Sequence, residues 1–382
     1  MPFGFASRLA ALYAAIFVMG GIQLPFFPLW LKAKGLEADE IGLVLAVPMV
    51  VRMLAIPFAT RFADRRDALR EALVVATLAS VAGYLLLGLA SGTVAILAAF
   101  VIASLAYTPV MPLAETYALK GLGARGRTYG PVRLWGSAAF IVGSFLAGIA
   151  ADTIPARHLI WLILAGTVMV ALAAVTLAPL GIAPSALHER PPAKRLLRDP
   201  VFLAVLASAS LIQASHAVYY GFSALAWRGQ GYNGTTIAAL WALGVIAEIV
   251  LFAVQGRLPA ALTPTVLLMI GAFGGVVRWG VMAFDPPAVA LPALQALHAL
   301  TFGASHLGAL TFLARTVPAG QGATAQGYLA IAMGLVMAAA TGLSGLLYET
   351  FGAASYAAMA LAAIAGGACA LVAHRPRRVA AL

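Results

Sequence analysis

The chain has 382 residues, of which 63% are hydrophobic and 10% charged, with a mean hydropathy of +0.97. Soluble domains carry roughly 45–50% apolar and about 25% charged residues, so a water-soluble globule is excluded and a protein built into lipid is predicted. The formal net charge of +11 raises nucleic acid as a partner, but the placement of the basic residues excludes it.

A helix needs about 20 apolar residues to cross a hydrocarbon core about 30 Å thick. Runs of that kind predict twelve helices, in chain order 8–31, 41–60, 72–90, 93–119, 127–151 and 158–180, then 200–226, 236–256, 263–284, 288–314, 323–347 and 353–373. They are continuous rather than alternating, which selects helices over a barrel. The first run is long and leads into further membrane, so it is expected to be retained rather than cleaved as a leader. Between the sixth and seventh runs lies the longest polar connection, 181–199, with Pro184, His188, Glu189, Arg190, Pro191 and Pro192. It predicts a six-helix bundle over 1–180, a cytoplasmic linker over 181–199 and a second six-helix bundle over 200–382.

Shifting the chain by about 196 residues brings Ile41 onto Ile237, Arg52 onto Glu248 and Arg61 onto Arg257. One further step brings Gly130 onto Gly327 and Gly148 onto Gly345. The common offset predicts duplicated, pseudo-symmetric halves, an architecture that carriers use with a substrate site near the midplane. Most of the 24 Lys and Arg residues fall on one set of connections, while Lys32, Lys34, Arg157 and Arg228 fall on the other. That asymmetry puts both termini in the cytoplasm and assigns the basicity to topology and anionic headgroups. The single cysteine, Cys369, excludes disulfides, thiolate metal sites and cysteine-pair redox chemistry.

Arg52, Glu115, Arg133, Glu248 and Arg278 lie inside predicted spans, where an ionisable group costs a few kcal/mol or more and marks function or an internal partner. Three arginines against two carboxylates leave one positive charge for an anionic ligand, and arginine binds carboxylate bidentately. Histidines 216, 298 and 306 add titratable groups. Gln213, His216 and Tyr220 are spaced to share one helix face and are expected to line a cavity. Trp227, near the end of the same run, has the position of an interfacial anchor.

The segment from Leu24-Pro25-Phe26-Phe27-Pro28 to Trp30, and that from Glu115 through Lys120 to Tyr129-Gly130-Pro131-Val132-Arg133, resemble lactose permease and its relatives in the major facilitator superfamily. The resemblance implies the major facilitator fold, all-α and integral to the membrane, with twelve transmembrane helices in two pseudo-symmetric six-helix bundles. It implies substrate contact for Glu115 and Arg133, and an aromatic surface at Phe140 where the family stacks a tryptophan on sugar. Glu248 matches the family's functional glutamate, and Arg278 with His298 keeps its arginine–histidine spacing. Where the family carries a proton on glutamate this chain has Thr301, so the resemblance leaves Glu248, with His298, to carry it. Thr60-Arg61-Phe62-Ala63-Asp64-Arg65-Arg66 is a degraded form of a superfamily loop, and Asp64 and Arg65 are expected to latch the cytoplasmic side.

His216 through Ala224, Leu240 through Glu248, and Val276-Val277-Arg278-Trp279-Gly280 resemble the phenylpropionate permease branch more closely. That implies proton-coupled uptake of an aromatic carboxylate by alternating access, across a bacterial inner membrane. Protons, lipids and a small organic anion are the expected partners, with no cofactor, metal, nucleic acid or obligatory protein partner. Symport of a sugar or nucleoside and drug antiport are the alternatives, although basic residues within the spans disfavour cationic drugs. A membrane enzyme is disfavoured too, for the sequence holds no His-Glu-x-x-His motif, nucleophile elbow or phosphate loop.

Overall fold

A computed structural model of the protein describes residues 4–66, 68–127, 129–180, 193–318 and 321–374, all helical or in short connections and without a strand among them. In the first half run α1 (Phe5–Ala33), α2 (Ala38–Arg66), α3 (Leu69–Leu89), α4 (Thr93–Tyr107), α5 (Val110–Gly123), α6 (Gly130–Thr153) and α7 (Leu159–Val175). The second half holds α8 (Pro200–Ala214), α9 (Ala217–Gly229), α10 (Gly234–Val254), α11 (Pro264–Met282), α12 (Leu291–Ala296), α13 (Ser305–Thr316), α14 (Gly322–Phe351) and α15 (Tyr356–His374). Ten stretches among the described residues are long and apolar enough to cross a membrane, and the last, Thr324–His374, takes in both α14 and α15. These two are separated by a turn at Gly352, whose φ of +54° is a left-handed conformation that glycine adopts without strain.

Local chemistry sets where helices start. Asp199 accepts from the Val201 amide ahead of Pro200, and Thr263 accepts from the Val266 amide ahead of Pro264. Each is a side-chain cap followed by proline at the first helical position, where its missing amide costs nothing.

Three expected spans come as broken rather than continuous helices. Pro109, which has no amide to donate, separates α4 from α5, and the Thr108 hydroxyl occupies the Ser104 carbonyl at 2.6 Å. Between α8 and α9 the Gln213 carbonyl receives both the His216 amide at 3.1 Å and His216 Nδ1 at 3.0 Å. The side chain thereby competes for a carbonyl that an unbroken helix would use. Between α12 and α13 the chain widens into a π-helix over Ala299–Ala304, a form often found at functional positions.

The described residues group into two compact units, Met1–Ala186 with Tyr220–Ala242, and Leu187–Tyr219 with Leu243–Leu382. Tyr220–Ala242 packs with the first part of the sequence. Asp152, at the end of α6, is the reason at residue level. One of its carboxylate oxygens accepts from Arg228 Nη1 at 2.9 Å and the Gly234 amide at 2.6 Å. The other accepts from the amide and hydroxyl of Thr235, each at 3.0 Å. One turn back, a Cβ on Gly148 would stand 2.5 Å from the Gly234 carbonyl oxygen, so glycine is required for the two backbones to meet. Trp227 belongs to this packing, for it is 2% exposed rather than an interfacial anchor. Of the linker, 181–192 lies outside the described residues, and 193–198 forms a short 3-10 helix.

In the first unit α1 is the central helix, with Leu9, Tyr13, Met19, Phe26, Phe27 and Trp30 buried. It lies so close to α6 that a Cβ on Gly143 would overlap the Val18 carbonyl, the approach that small residues permit between helices in lipid. At one end of this unit, side chains from three helices converge on the carbonyls at and just beyond the end of α7. Arg8 donates to Thr176, Arg70 to Leu177 and Val175, and Tyr117 to Ala178. In the second unit Phe202, Leu206, Ile212, Leu268, Phe312 and Leu329 build the core between α8, α11, α13 and α14. Around both units large apolar side chains face outward, among them Leu89, Val94, Leu172, Phe273 and Leu361. Water would not tolerate such a surface, whereas acyl chains do.

Candidate functional site

The second unit holds a polar cluster assembled at the helix breaks. Arg278 on α11 is 0% exposed, and burying its charge is tolerable only with its donors placed. One terminal nitrogen, Nη1, donates to His298 Nδ1 at 3.3 Å and to the Thr301 hydroxyl at 3.2 Å. The other, Nη2, donates to Gln295 Oε1 at 2.6 Å. Its guanidinium carbon lies 4.7 Å from the Tyr219 ring centre and 4.5 Å from that of Trp279, contacts in which the ring quadrupole favours a cation. Trp279 is itself fixed, donating to Ser215 Oγ at 2.9 Å and stacking on Tyr356.

A guanidinium only donates, so each group it meets must accept, and this orders the hydrogen atoms around it. His298 Nδ1 presents its lone pair to Arg278, which places the proton of the neutral ring on Nε2. That nitrogen lies 3.6 Å from Glu248 Oε2, a few tenths of an ångström beyond a formed hydrogen bond. Thr301 accepts from Arg278, leaving its own hydrogen for His216 Nε2 at 3.0 Å. His216 Nδ1 then carries the proton and donates to the Gln213 carbonyl. The two imidazoles are thus held in opposite tautomers. Glu248, His298, Arg278, Thr301, His216 and Gln213 form one chain of polar contacts through the unit.

The geometry depends on the breaks. His216 reaches Thr301 because α8 stops beneath it, and Thr301 lies within the π-helix. Gln213 also donates to Ser305 Oγ at 3.0 Å, tying α8 to the start of α13. Gly244 lets α10 approach α12, for a Cβ there would lie 3.2 Å from His298 Cβ.

A smaller cluster lies in the first unit. Arg133 on α6 sits over the Phe17 ring at 4.1 Å, and Tyr13 donates to the Tyr129 hydroxyl at 3.3 Å. Glu115 lies on α5 near Arg133 and Tyr129. The Phe140 backbone faces α1, where its carbonyl closes against Gly21. Tyr220, expected on one face with Gln213 and His216, lies beyond the helix break and packs on Trp241 at 5.8 Å in the first unit. The side chains of Arg52, Asp64 and Arg65 lie outside the described residues. Gln295, Ser215 and Trp279 join the cluster without having been singled out from sequence. A glutamine inside an apolar run was the available signal for the first. Among the described residues no group of three or more His, Cys, Asp or Glu side chains could hold a metal ion.

Apolar helices that cross a membrane while enclosing a hydrogen-bonded arginine, a carboxylate and two histidines define a class, the multi-pass membrane transporters. Within that class the chain belongs to the MFS_1 like family, whose model matches residues 6–358. It is 34% identical over 371 residues to the probable 3-phenylpropionic acid transporter of Escherichia coli (strain K12), covering 93% of this chain and 94% of that one. It is 27% identical over 348 residues to the maltose permease of Geobacillus stearothermophilus, covering 88% and 86%. Among solved structures, the nucleoside transporter NupG superposes with a TM-score of 0.84 at 14% identity, covering 97% of this chain and 98% of that one. A bacterial homolog of the human lysosomal transporter Spinster superposes with a TM-score of 0.71, also at 14% identity, covering 96% of each chain. At such identities the structures share the fold alone. These relatives are transporters and not enzymes.

Proposed function

We propose that the protein imports an aromatic carboxylate such as 3-phenylpropionate together with protons, by alternating access, across the bacterial inner membrane with both termini in the cytoplasm. One observation carries the reading: Arg278, wholly buried against two aromatic rings, bonds to His298, whose Nε2 lies 3.6 Å from the Glu248 carboxylate. An aromatic anion matches a cation lined by Tyr219 and Trp279, and the relative named for 3-phenylpropionic acid supports that substrate class. In this reading Arg133 or Arg278 takes the substrate carboxylate, and Glu115, Phe140, Gln213, His216 and Tyr220 contribute to its recognition. Glu248 with His298 carries the proton. Desolvation favours a neutral carboxyl and a nearby cation favours a charged one, so a changing surround moves the proton on and off Glu248. The duplicated halves 1–180 and 200–382, the linker 181–199 and the Asp64 and Arg65 latch belong to the same reading.

The test is uptake into proteoliposomes of labelled 3-phenylpropionate, cinnamate, benzoate, nucleosides and sugars, with and without an inward proton gradient. Accumulation of aromatic acids that collapses with the gradient is expected. Indifference to carboxylates, or accumulation that ignores the gradient, refutes the corresponding half of the proposal.

A further inference from the structure

Arg278 Nη1 and His298 Nδ1 meet as donor and acceptor, and that contact exists only while Nδ1 carries no proton. We propose that His298 couples the two events by exchanging tautomers: a proton from solvent enters at Nδ1 as the Nε2 proton passes to Glu248, and the exchange releases Arg278 Nη1 to an anionic substrate. The inference rests on the proton-coupled carboxylate reading and assigns the step that links proton to anion.

The atoms balance without a further reactant. One N–H bond forms at Nδ1, the Nε2–H bond breaks, and one O–H bond forms on Glu248. Imidazole begins and ends neutral, while the carboxylate becomes a carboxylic acid. Glu248 Oε2 stands 3.6 Å from Nε2, so transfer needs an approach of a few tenths of an ångström. After it, Nδ1–H points at a guanidinium N–H, two donors with nothing to share, and Nη1 must turn away. The local charge then favours an anion, since Arg278 stays positive and Glu248 has lost its negative charge.

The remaining contacts keep the cation in place while one bond is exchanged. Gln295 holds Nη2 at 2.6 Å, and Thr301 provides Nη1 with a second acceptor at 3.2 Å. Thr301 can accept steadily because its hydrogen is committed to His216, whose own tautomer is fixed by the Gln213 carbonyl. Thr301, His216 and Gln295 are therefore positioning residues.

The titratable and charged groups facing His298 come from each element packed on it. Arg278 lies on α11 and Glu248 on α10, while His216, in the break between α8 and α9, is edge-on at 5.4 Å between ring centres. On its own segment His298 stacks on Phe302, and Phe302 stacks in turn on His306. His216 is already a donor at Nδ1 and an acceptor at Nε2, and His306 stands behind an apolar ring. His298 touches both the arginine and the glutamate.

The chain has six histidines, few enough to resolve by nitrogen-15 magnetic resonance of the full-length, histidine-labelled protein in nanodiscs. A His298→Gln sample identifies the His298 signals by their loss. The free protein at alkaline pH is expected to show His298 protonated at Nε2 and bare at Nδ1, and His216 the reverse. Saturating 3-phenylpropionate is expected to move the His298 proton to Nδ1. In lightly buffered solution the wild type is expected to take up about one proton per 3-phenylpropionate bound, by the reciprocity of linked binding. His298→Gln, whose amide oxygen holds Arg278 but relays nothing, is expected to take up few or none.

Two results overturn the proposal: a free His298 protonated at Nδ1, or a His298→Gln protein that takes up as many protons as the wild type. A wild type that binds no 3-phenylpropionate refutes the aromatic-carboxylate reading instead. Acidification in place of substrate then decides this inference, with retention of the bare Nδ1 counting against it.

Discussion

Replacing Asp152 by alanine removes four hydrogen bonds with one carboxylate. Two come from backbone amides at the N-terminus of α10, a capping arrangement supplied from another helix and worth about 1 kcal/mol. The negative charge at that helix end adds about 0.5 kcal/mol. The ion pair with Arg228, whose side chain is 41% exposed, is screened by solvent and adds about 0.5 kcal/mol more. The total of about 2 kcal/mol corresponds to roughly a 30-fold change in the equilibrium between α6 docked on α10 and α6 released from it. Spin labels at Thr153 and Gln230, both exposed, would report the two states as a short and a long distance in pulsed electron resonance. Asp152→Ala is expected to shift the ratio toward the long distance by that factor, and Asp152→Asn by less, since its amide keeps one accepting oxygen. If both variants match the wild-type distribution within about twofold, the carboxylate does not hold this junction and the reasoning fails.

Arg278→Lys should lower 3-phenylpropionate uptake by at least about tenfold at normal expression, because one ammonium cannot reproduce a planar fork reaching three acceptors; near-normal uptake would remove the arginine from the site. Glu248→Gln should abolish proton-driven accumulation while leaving counterflow of preloaded substrate, and accumulation that survives the substitution would take the proton away from Glu248. Gly143→Ala should cost roughly 1–3 kcal/mol, because the methyl group meets the Val18 backbone rather than a movable side-chain tip; a lowered Tm in a fluorescence melting assay is the readout, and an unchanged Tm would contradict the close contact. Thr301→Val keeps the shape but removes the hydroxyl that joins Arg278 to His216, so the His216 tautomer should become mixed in the nitrogen spectrum, and a spectrum unchanged from the wild type would deny that link.

Hydropathy made the helices legible, because in lipid an apolar run of the right length has few other options. The misfit charges were equally visible: Glu248, Arg278 and His298 stood out against their spans and are neighbours in the fold. The breaks were harder to see. Pro109 could have been read as one, but Pro25 and Pro28 lie inside α1 without ending it, so proline alone does not decide. At Ser215–His216 a side chain bonds to the Gln213 carbonyl three residues back, which the residue types alone did not single out, and the π-helix over Ala299–Ala304 had no sequence signal of its own. Thr301 read as the loss of a proton site, and the structure makes it a junction between arginine and histidine. Asp152 was not legible at all, because its partners lie more than 70 residues further on. Trp227 followed the rule for interfacial tryptophans and violates it because α9 is packed there on protein.

The cap on the end of α7 has a mechanical consequence. Arg8, Arg70 and Tyr117 reach it from α1, α3 and α5, so four helices are pinned to one another through the carbonyls of Val175, Thr176, Leu177 and Ala178. Sliding any one of them along its neighbours would break these hydrogen bonds together. A load applied to this end of the unit is therefore shared among the four helices, as through a keyed joint. Bending during a transport cycle costs less elsewhere, and the three broken helices are where the backbone already departs from regular α-helix.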